Sequence, residues 1–319
     1  MNINRIIPIK NTEIRRVWLQ KLGGLESVSV KNKEWISLLE EDTRNSLMIE
    51  GYIVTKAEIK SIIENPKYEG VEYKVLGYFD SAFSSYEFAL QQYKTKEFQI
   101  TKALIKQIHS IMFRGDPNFA YTPGEWRKGN IEITGSNIKT TNPFDIEEKI
   151  NFLVKVANSK MDNIIRKAAI VHCMFEQIHP FPDGNGRVGR ILLNFILVAN
   201  GFPNIAIKGN NKDRDDYIKA LEKADLVVEK IFKKESNFFA NPITELEDLI
   251  NKNLAIATDF IICSRFDKQK KLLTIKEISL TLDKPINTLK VGFSQKKYIS
   301  SNIDGSGVKS HPDLLNMPV

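Results

Sequence analysis

The chain has 319 residues, 42% hydrophobic and 27% charged, with a formal net charge of +7, so it is long enough to bury a sizeable core and to divide into two or more domains. No run of about 18 apolar residues occurs, and the N-terminal MNINRIIPIKNTEIRR lacks an apolar stretch followed by a small-residue cleavage site, so a cytoplasmic protein with no membrane attachment is expected. Cys173 and Cys263 lie far apart with no CxxC spacing, which argues against a zinc site or a disulfide framework, and the positive charge suits an anionic ligand as well as a lysine-rich surface.

Apolar spacing through most of residues 1–245 is helical; in ITKALIKQIHSIMF, for example, Ile100, Ala103, Leu104, Ile108, Ile111 and Met112 form one stripe. The pattern predicts helices over 31–49, 55–63, 71–94, 100–113, 143–157, 161–178, 186–200, 213–224 and 242–263. GEWRKGNIEITGSN at 124–137 breaks it: Asn130, Glu132 and Thr134 alternate with Ile131 and Ile133 between glycines, which predicts a short hairpin. Asn142 and Pro143 read as the cap and first turn of the following helix.

Beyond residue 264 the elements shorten. Thr274 and Glu277 form a capping-box pattern, Asp283-Lys284-Pro285 breaks the helix, Asn287 can cap another, and Asp304-Gly305 turns between β-compatible residues. Helix, turn, helix and hairpin is the order of a winged helix-turn-helix. Residues 251–319 hold 11 basic and 6 acidic residues, compatible with DNA as a partner. The expected organisation is an N-terminal helical region at 1–95, a helical core at 96–235, a linking helix at 236–263 and the winged-helix-like module at 264–319.

The chemistry concentrates in HPFPDGNGRVGR at 179–190, held between the apolar segments IIRKAAIVHCMFEQI and VGRILLNFILVAN. Gly184-Asn185-Gly186 can turn successive N–H groups toward one point where the second helix presents its N-terminal donors, which makes an anion cradle. Arg187 and Arg190, about one helical turn apart, suit phosphate oxygens, and together these groups suit a polyphosphate. Asp183 beside such a cradle makes sense as a ligand of Mg²⁺ bridging two phosphates. His179 can take a proton from an attacking hydroxyl at neutral pH, and Phe181 can drop into the core to pin the loop. The parts describe transfer of a phosphoryl or nucleotidyl group to a hydroxyl.

This segment resembles the Fic motif, HPF followed by two residues and GNGRxxR, at every defining position. The resemblance implies a mainly α, Fic-type bundle and transfer of AMP from ATP to a Tyr, Thr or Ser hydroxyl of a target protein. It assigns His179 as general base, Asp183 to Mg²⁺, Gly184, Asn185 and Gly186 to the phosphates, and Arg187 and Arg190 to the β/γ end. Phe181 becomes the loop anchor. Doc toxins, a sister group that phosphorylates, carry Lys where this chain has Gly186, so Gly186 favours AMP transfer. GEWRKGNIEITG is similar to the flap that holds a target strand, with Ile131 and Ile133 as docking positions. DRDDYIKALEKAD at 213–225 looks like the segment near the adenine, with Tyr217 as its contact.

SLMIEG at 46–51 matches the family's inhibitory pattern, Ser or Thr, three residues, Glu, then Gly or Asn. It implies that Glu50, four residues after Ser46, pairs with Arg190 and fills the space of the ATP γ-phosphate. The resemblance covers roughly residues 40–230. Two other functions stay open: removal of AMP from a modified protein with Glu50 positioning water, and a DNA-binding regulator whose Fic domain senses nucleotide. Self-modification and a homodimer are also compatible with the sequence. His172 reads as a packed core histidine, and His109 and His311 carry no assigned role.

Overall fold

The computed structural model describes residues 9–26, 31–65, 72–133, 139–233, 243–303 and 305–315. In chain order the helices are α1 (Ile9–Lys21), α2 (Lys33–Ile49), α3 (Lys56–Glu64), α4 (Glu72–Thr95), α5 (Lys102–Met112), α6 (Ile146–Asn158), α7 (Ile164–Ile178), α8 (Asn185–Val198), α9 (Asn211–Phe232), α10 (Thr244–Gln269), α11 (Ile275–Leu282), α12 (Ile286–Ser294) and α13 (Pro312–Leu315). Two short strands, β1 (Leu273–Thr274) and β2 (Lys309–Ser310), complete the described elements, so the fold is mainly α as the spacing predicts. No helix among the described residues is long and apolar enough to cross a membrane.

Contacts divide the chain into two units, one of residues 27–200 and 204–250, the other of residues 1–26, 201–203 and 251–319. In the larger unit α7 and α8 are buried along nearly their whole length, with α4, α5, α6, α9 and α2 packed against one or both of them. This explains why the sequence flanking the loop is apolar all round and not striped. Caps fix where the surrounding helices begin: Thr55 and Glu58 form a capping box on α3, Thr101 caps α5, and Asn163 caps α7. Asn142 accepts from the Phe144 amide and opens a 3-10 turn at Pro143–Asp145 that leads into α6.

In the smaller unit the Arg15 guanidinium is fully buried against Asp259, with Nε to Oδ1 at 2.7 Å, and Lys296 reaches the same carboxylate at 3.2 Å. β1 pairs antiparallel with β2, Leu273 opposite Ser310, and Ser301 makes a further antiparallel bridge to Lys309. Ile278, Leu289, Phe293 and Leu315 form a small core beneath these elements.

Several expectations change. Helix α1 was not predicted, because its burial rests on Thr12, Arg15 and Leu19 and on ion pairing, which apolar spacing does not register. Helix α9 continues past residue 224 to Phe232, since Leu221, Ala224, Val228 and Ile231 prolong one buried stripe. Asn287 does not cap α12: Pro285 takes that place with φ −56°, and Asn287 falls inside the first turn. Residues 124–133 of the expected hairpin carry no strand pairing among the described residues; Thr134 and the rest of its return lie outside them, as does Asp304.

Candidate active site

The site is built where α7 stops and α8 starts. His179 caps α7 in the left-handed region, φ 49° and ψ 59°, and Gly184 caps α8 in the same region at φ 79°. A Cβ on Gly184 would meet the Phe113 ring at 2.6 Å, so both the φ and the close approach require glycine there. Between them the loop is locked by Asn185, whose Oδ1 accepts from the Phe181 amide at 2.8 Å while its Nδ2 donates to the Phe181 carbonyl at 2.7 Å. The Asn185 side chain is thus occupied with the loop, and its backbone amide, with those of Gly186 and Arg187, remains as a first-turn donor of α8. Phe181 is fully buried and stacks on His109, ring centroids 3.9 Å apart. His109 accepts from the Gly124 amide at Nδ1, and its Nε2–H donates to the Asp183 carbonyl at 3.2 Å.

His179 donates from Nδ1 to the Glu176 carbonyl at 3.0 Å, which leaves the Nε2 lone pair free to act as a base. Burial pulls its pKa down to about 4, so the imidazole is neutral through the physiological range. Its own carbonyl accepts from Arg127 Nε at 2.7 Å. Together with Glu50, Gly186, Arg190, Ile131 and Ile133, His179 lines a cavity of about 690 Å³, within the usual range for small-molecule sites.

The two loop arginines differ. Arg187 donates from Nη2 to both Asp183 oxygens at 3.2 Å and lies over the Phe113 ring, and it is not among the residues lining the cavity. Arg190 does line it. Its Nε donates to Ser46 Oγ at 2.7 Å, and its Nη2 donates to Glu50 Oε1 at 2.7 Å and to the Ser46 carbonyl at 3.1 Å. Burial alone would raise the Glu50 pKa, but the charges of Arg190 and Arg187 and the Arg190 hydrogen bond hold it below the ordinary carboxylate range. A Cβ on Gly186 would stand 2.6 Å from Glu50 Oε1, so the carboxylate lies directly over the α8 N-terminus.

Behind Arg190, Asp42 is buried one turn before Ser46. It accepts from the hydroxyls of Tyr78 and Tyr86 at 3.0 and 2.7 Å and from Asn194 Nδ2 at 3.2 Å, and burial pushes its pKa up to about 7. Tyr217 lines the cavity with its hydroxyl hydrogen-bonded to buried His172 Nε2 at 2.7 Å. Glu176 also lines the cavity, its pKa raised to about 7 by burial, and its Oε1 would lie 2.3 Å from a Cβ at Gly189. Gly189 is what lets α8 approach α7 so closely.

The model of the Fic/DOC family matches residues 99–197. A probable protein adenylyltransferase of Aquifex aeolicus is 33% identical over 279 residues, covering 85% of this chain and 82% of that protein. The chain belongs to the Fic/DOC family. The protein adenylyltransferase Fic of Aedes aegypti is 28% identical over 222 residues, which span 65% of this chain and 42% of the longer insect protein. A Fic domain containing signaling protein from Bacteroides thetaiotaomicron shares the fold, with a TM-score of 0.65 at 21% identity over 80% of this chain and 96% of its own. By family the chain is an enzyme of the nucleotidyltransferase class.

Three buried polar residues near the site escaped the sequence reading. Arg127 and His109 reach the Fic/DOC loop through its backbone carbonyls, and Asp42 accepts from the distant hydroxyls of Tyr78 and Tyr86. Such partners leave no short-range signature. The four-residue spacing of Asp42, Ser46 and Glu50, along α2 to its C-cap, was the one signal for Asp42.

Proposed function

We propose that the protein transfers AMP from ATP to a Tyr, Thr or Ser hydroxyl of a target protein and that Glu50 restrains this activity. The carrying observation is the Arg190–Glu50 pair at 2.7 Å inside a cavity that also holds His179 and the α8 N-terminus. In this reading the target hydroxyl gives its proton to His179 Nε2 as its oxygen bonds to the α-phosphorus. The bond from that phosphorus to the bridging oxygen breaks, and pyrophosphate leaves with the electron pair. The α8 N-terminal amides and Arg190 receive phosphate oxygens, and Ile131 and Ile133 offer the docking edge for the target.

Mg²⁺ fits the donor set. Asp183 supplies one carboxylate beside the amides, and such a cation characteristically takes one or two carboxylates with the rest of its ligands from phosphate and water. Bound there, it would neutralise phosphate charge; Arg187 keeps Asp183 oriented. Glu50 competes with ATP for Arg190, so a carboxylate in that place blocks a phosphate.

The proximity of Glu50 to the cavity also supports the reverse reaction, in which it orients a water that removes AMP from a modified protein. For residues 264–319 we propose a winged-helix-type module, supported by the order β1, α11, α12, β2 and by the exposure of Asn287, Thr288 and Lys290 on α12. DNA as its partner predicts duplex binding that weakens steeply with salt. The principal test is incubation of the purified chain with labelled ATP and Mg²⁺, with and without Glu50→Gly: label on protein supports the forward reaction, and loss of AMP removal in the variant supports the reverse one.

A further inference from the structure

The Arg127 guanidinium is buried, and among the described residues no carboxylate lies in ion-pair range of it. Its donors all go to backbone carbonyls: Nε to His179 at 2.7 Å, Nη2 to Thr141 and, at 3.4 Å, to Ile178, and Nη1 to Gly129 at 2.7 Å. Its own amide donates to the Pro180 carbonyl at 2.9 Å. Two groups of acceptors are therefore joined through one residue, the guanidinium reaching both. Ile178, His179 and Pro180 are the last carbonyls of α7 and the start of the loop, where the helix dipole favours a cation. Gly129 and Thr141 bracket the segment that carries Ile131 and Ile133.

The first group matters because His179 is a non-glycine residue in the left-handed region, a conformation that costs about 1 kcal/mol or more and persists only where its surroundings impose it. Returning His179 to an ordinary φ would carry its carbonyl away from Arg127 Nε and its ring away from the Glu176 carbonyl. The ring is thus held from two sides, through Nδ1 and through its own peptide group. We propose that Arg127 is a positioning residue: it sets the place of the His179 ring over the α8 N-terminus and ties that setting to the segment that presents Ile131 and Ile133. The proposal rests on His179 being the general base. A lysine cannot replace it, since a single ammonium cannot reach both groups of carbonyls in the planes a guanidinium fork reaches.

The experiment uses the full chain, in whichever of wild type and Glu50→Gly is the more active, with Arg127→Lys and Arg127→Gln added. Label transfer to the chain itself and pyrophosphate release give the rate; calorimetric titration with Mg·ATP gives nucleotide affinity. We expect kcat to fall about 10- to 100-fold in both variants, as for a misplaced catalytic group, with Kd for Mg·ATP within about twofold of the parent. Arg127→Lys keeps the aliphatic stem packed and serves if the Gln variant fails to fold. Unchanged kcat in folded Arg127→Lys, or a loss of nucleotide affinity as large as the loss of kcat, overturns the proposal. If neither parent transfers AMP, the proposed AMP-transfer reading fails instead, and that failure is distinct from an unchanged kcat in Arg127→Lys.

Discussion

The arginines at 187 and 190 stand one turn apart on the same buried helix, yet one is held by its own loop and the other by a distant helix. Arg187 closes a local ring with Asp183, four residues before it, and Arg190 is held by Ser46 on α2 and Glu50 at its C-cap, about 140 positions away in sequence. The local pair orients a carboxylate without closing the cavity. The remote pair puts a carboxylate on Arg190, where the proposed reading places a phosphate of ATP. A contact supplied by another element can be withdrawn without dismantling the loop, which is what a removable restraint requires.

The loop half should fail by loss of chemistry. His179→Ala is expected to lower AMP transfer by about 10²–10⁴-fold, the usual worth of a general base, while Mg·ATP still binds; labelled-ATP transfer and calorimetry read the two effects separately. Undiminished transfer would remove His179 from the mechanism. Asp183→Ala should reduce Mg²⁺-dependent transfer by about 10²-fold, because a polyphosphate not held in line with its attacker reacts poorly. Full activity of this variant, or of the wild type in EDTA, would contradict the metal assignment.

The pH profile sharpens the same half. A base whose pKa is depressed stays deprotonated to lower pH, and kcat/KM reports the free enzyme, in which burial brings His179 to about 4. kcat/KM for Mg·ATP should therefore stay level from pH 8 down to about 5, with its acid limb below that. A midpoint near the ordinary imidazole value of about 6.5 would show that the ring is solvated in the working enzyme. The remote half should fail by gain. Ser46→Ala removes the acceptor of Arg190 Nε and should raise transfer by a few-fold, less than removal of the Glu50 carboxylate, since the ion pair remains. Equal or lower transfer in Ser46→Ala would mean that Ser46 serves the fold alone.

Legibility in sequence follows the same division. The loop's working parts are contiguous, so His179, Asp183, the glycines and both arginines could be read from one string, and the buried helices on either side from their unbroken apolar character. Glu50 could be found because its pattern at the end of α2 is also short. Arg127 could not, because its acceptors are carbonyls that every residue type supplies, and Asp42 could not, because Tyr78, Tyr86 and Asn194 are 36 to 152 positions away. Helix α1 was hidden for a related reason: a buried Arg15–Asp259 pair does what an apolar stripe usually does.

The proposed restraint is tested most directly by comparing AMP transfer from labelled ATP in wild type, Glu50→Gly and Glu50→Gly with Arg190→Ala, all checked for folding. Deleting the carboxylate leaves Arg190, buried at 3% exposure, facing an open cavity with phosphate as its natural partner. The account predicts transfer above wild type in Glu50→Gly, by about 10-fold or more if a full charge-assisted contact is released to ATP, and loss of that gain when Arg190 is also removed. Glu50→Gly no more active than wild type, or a gain that survives Arg190→Ala, would contradict it.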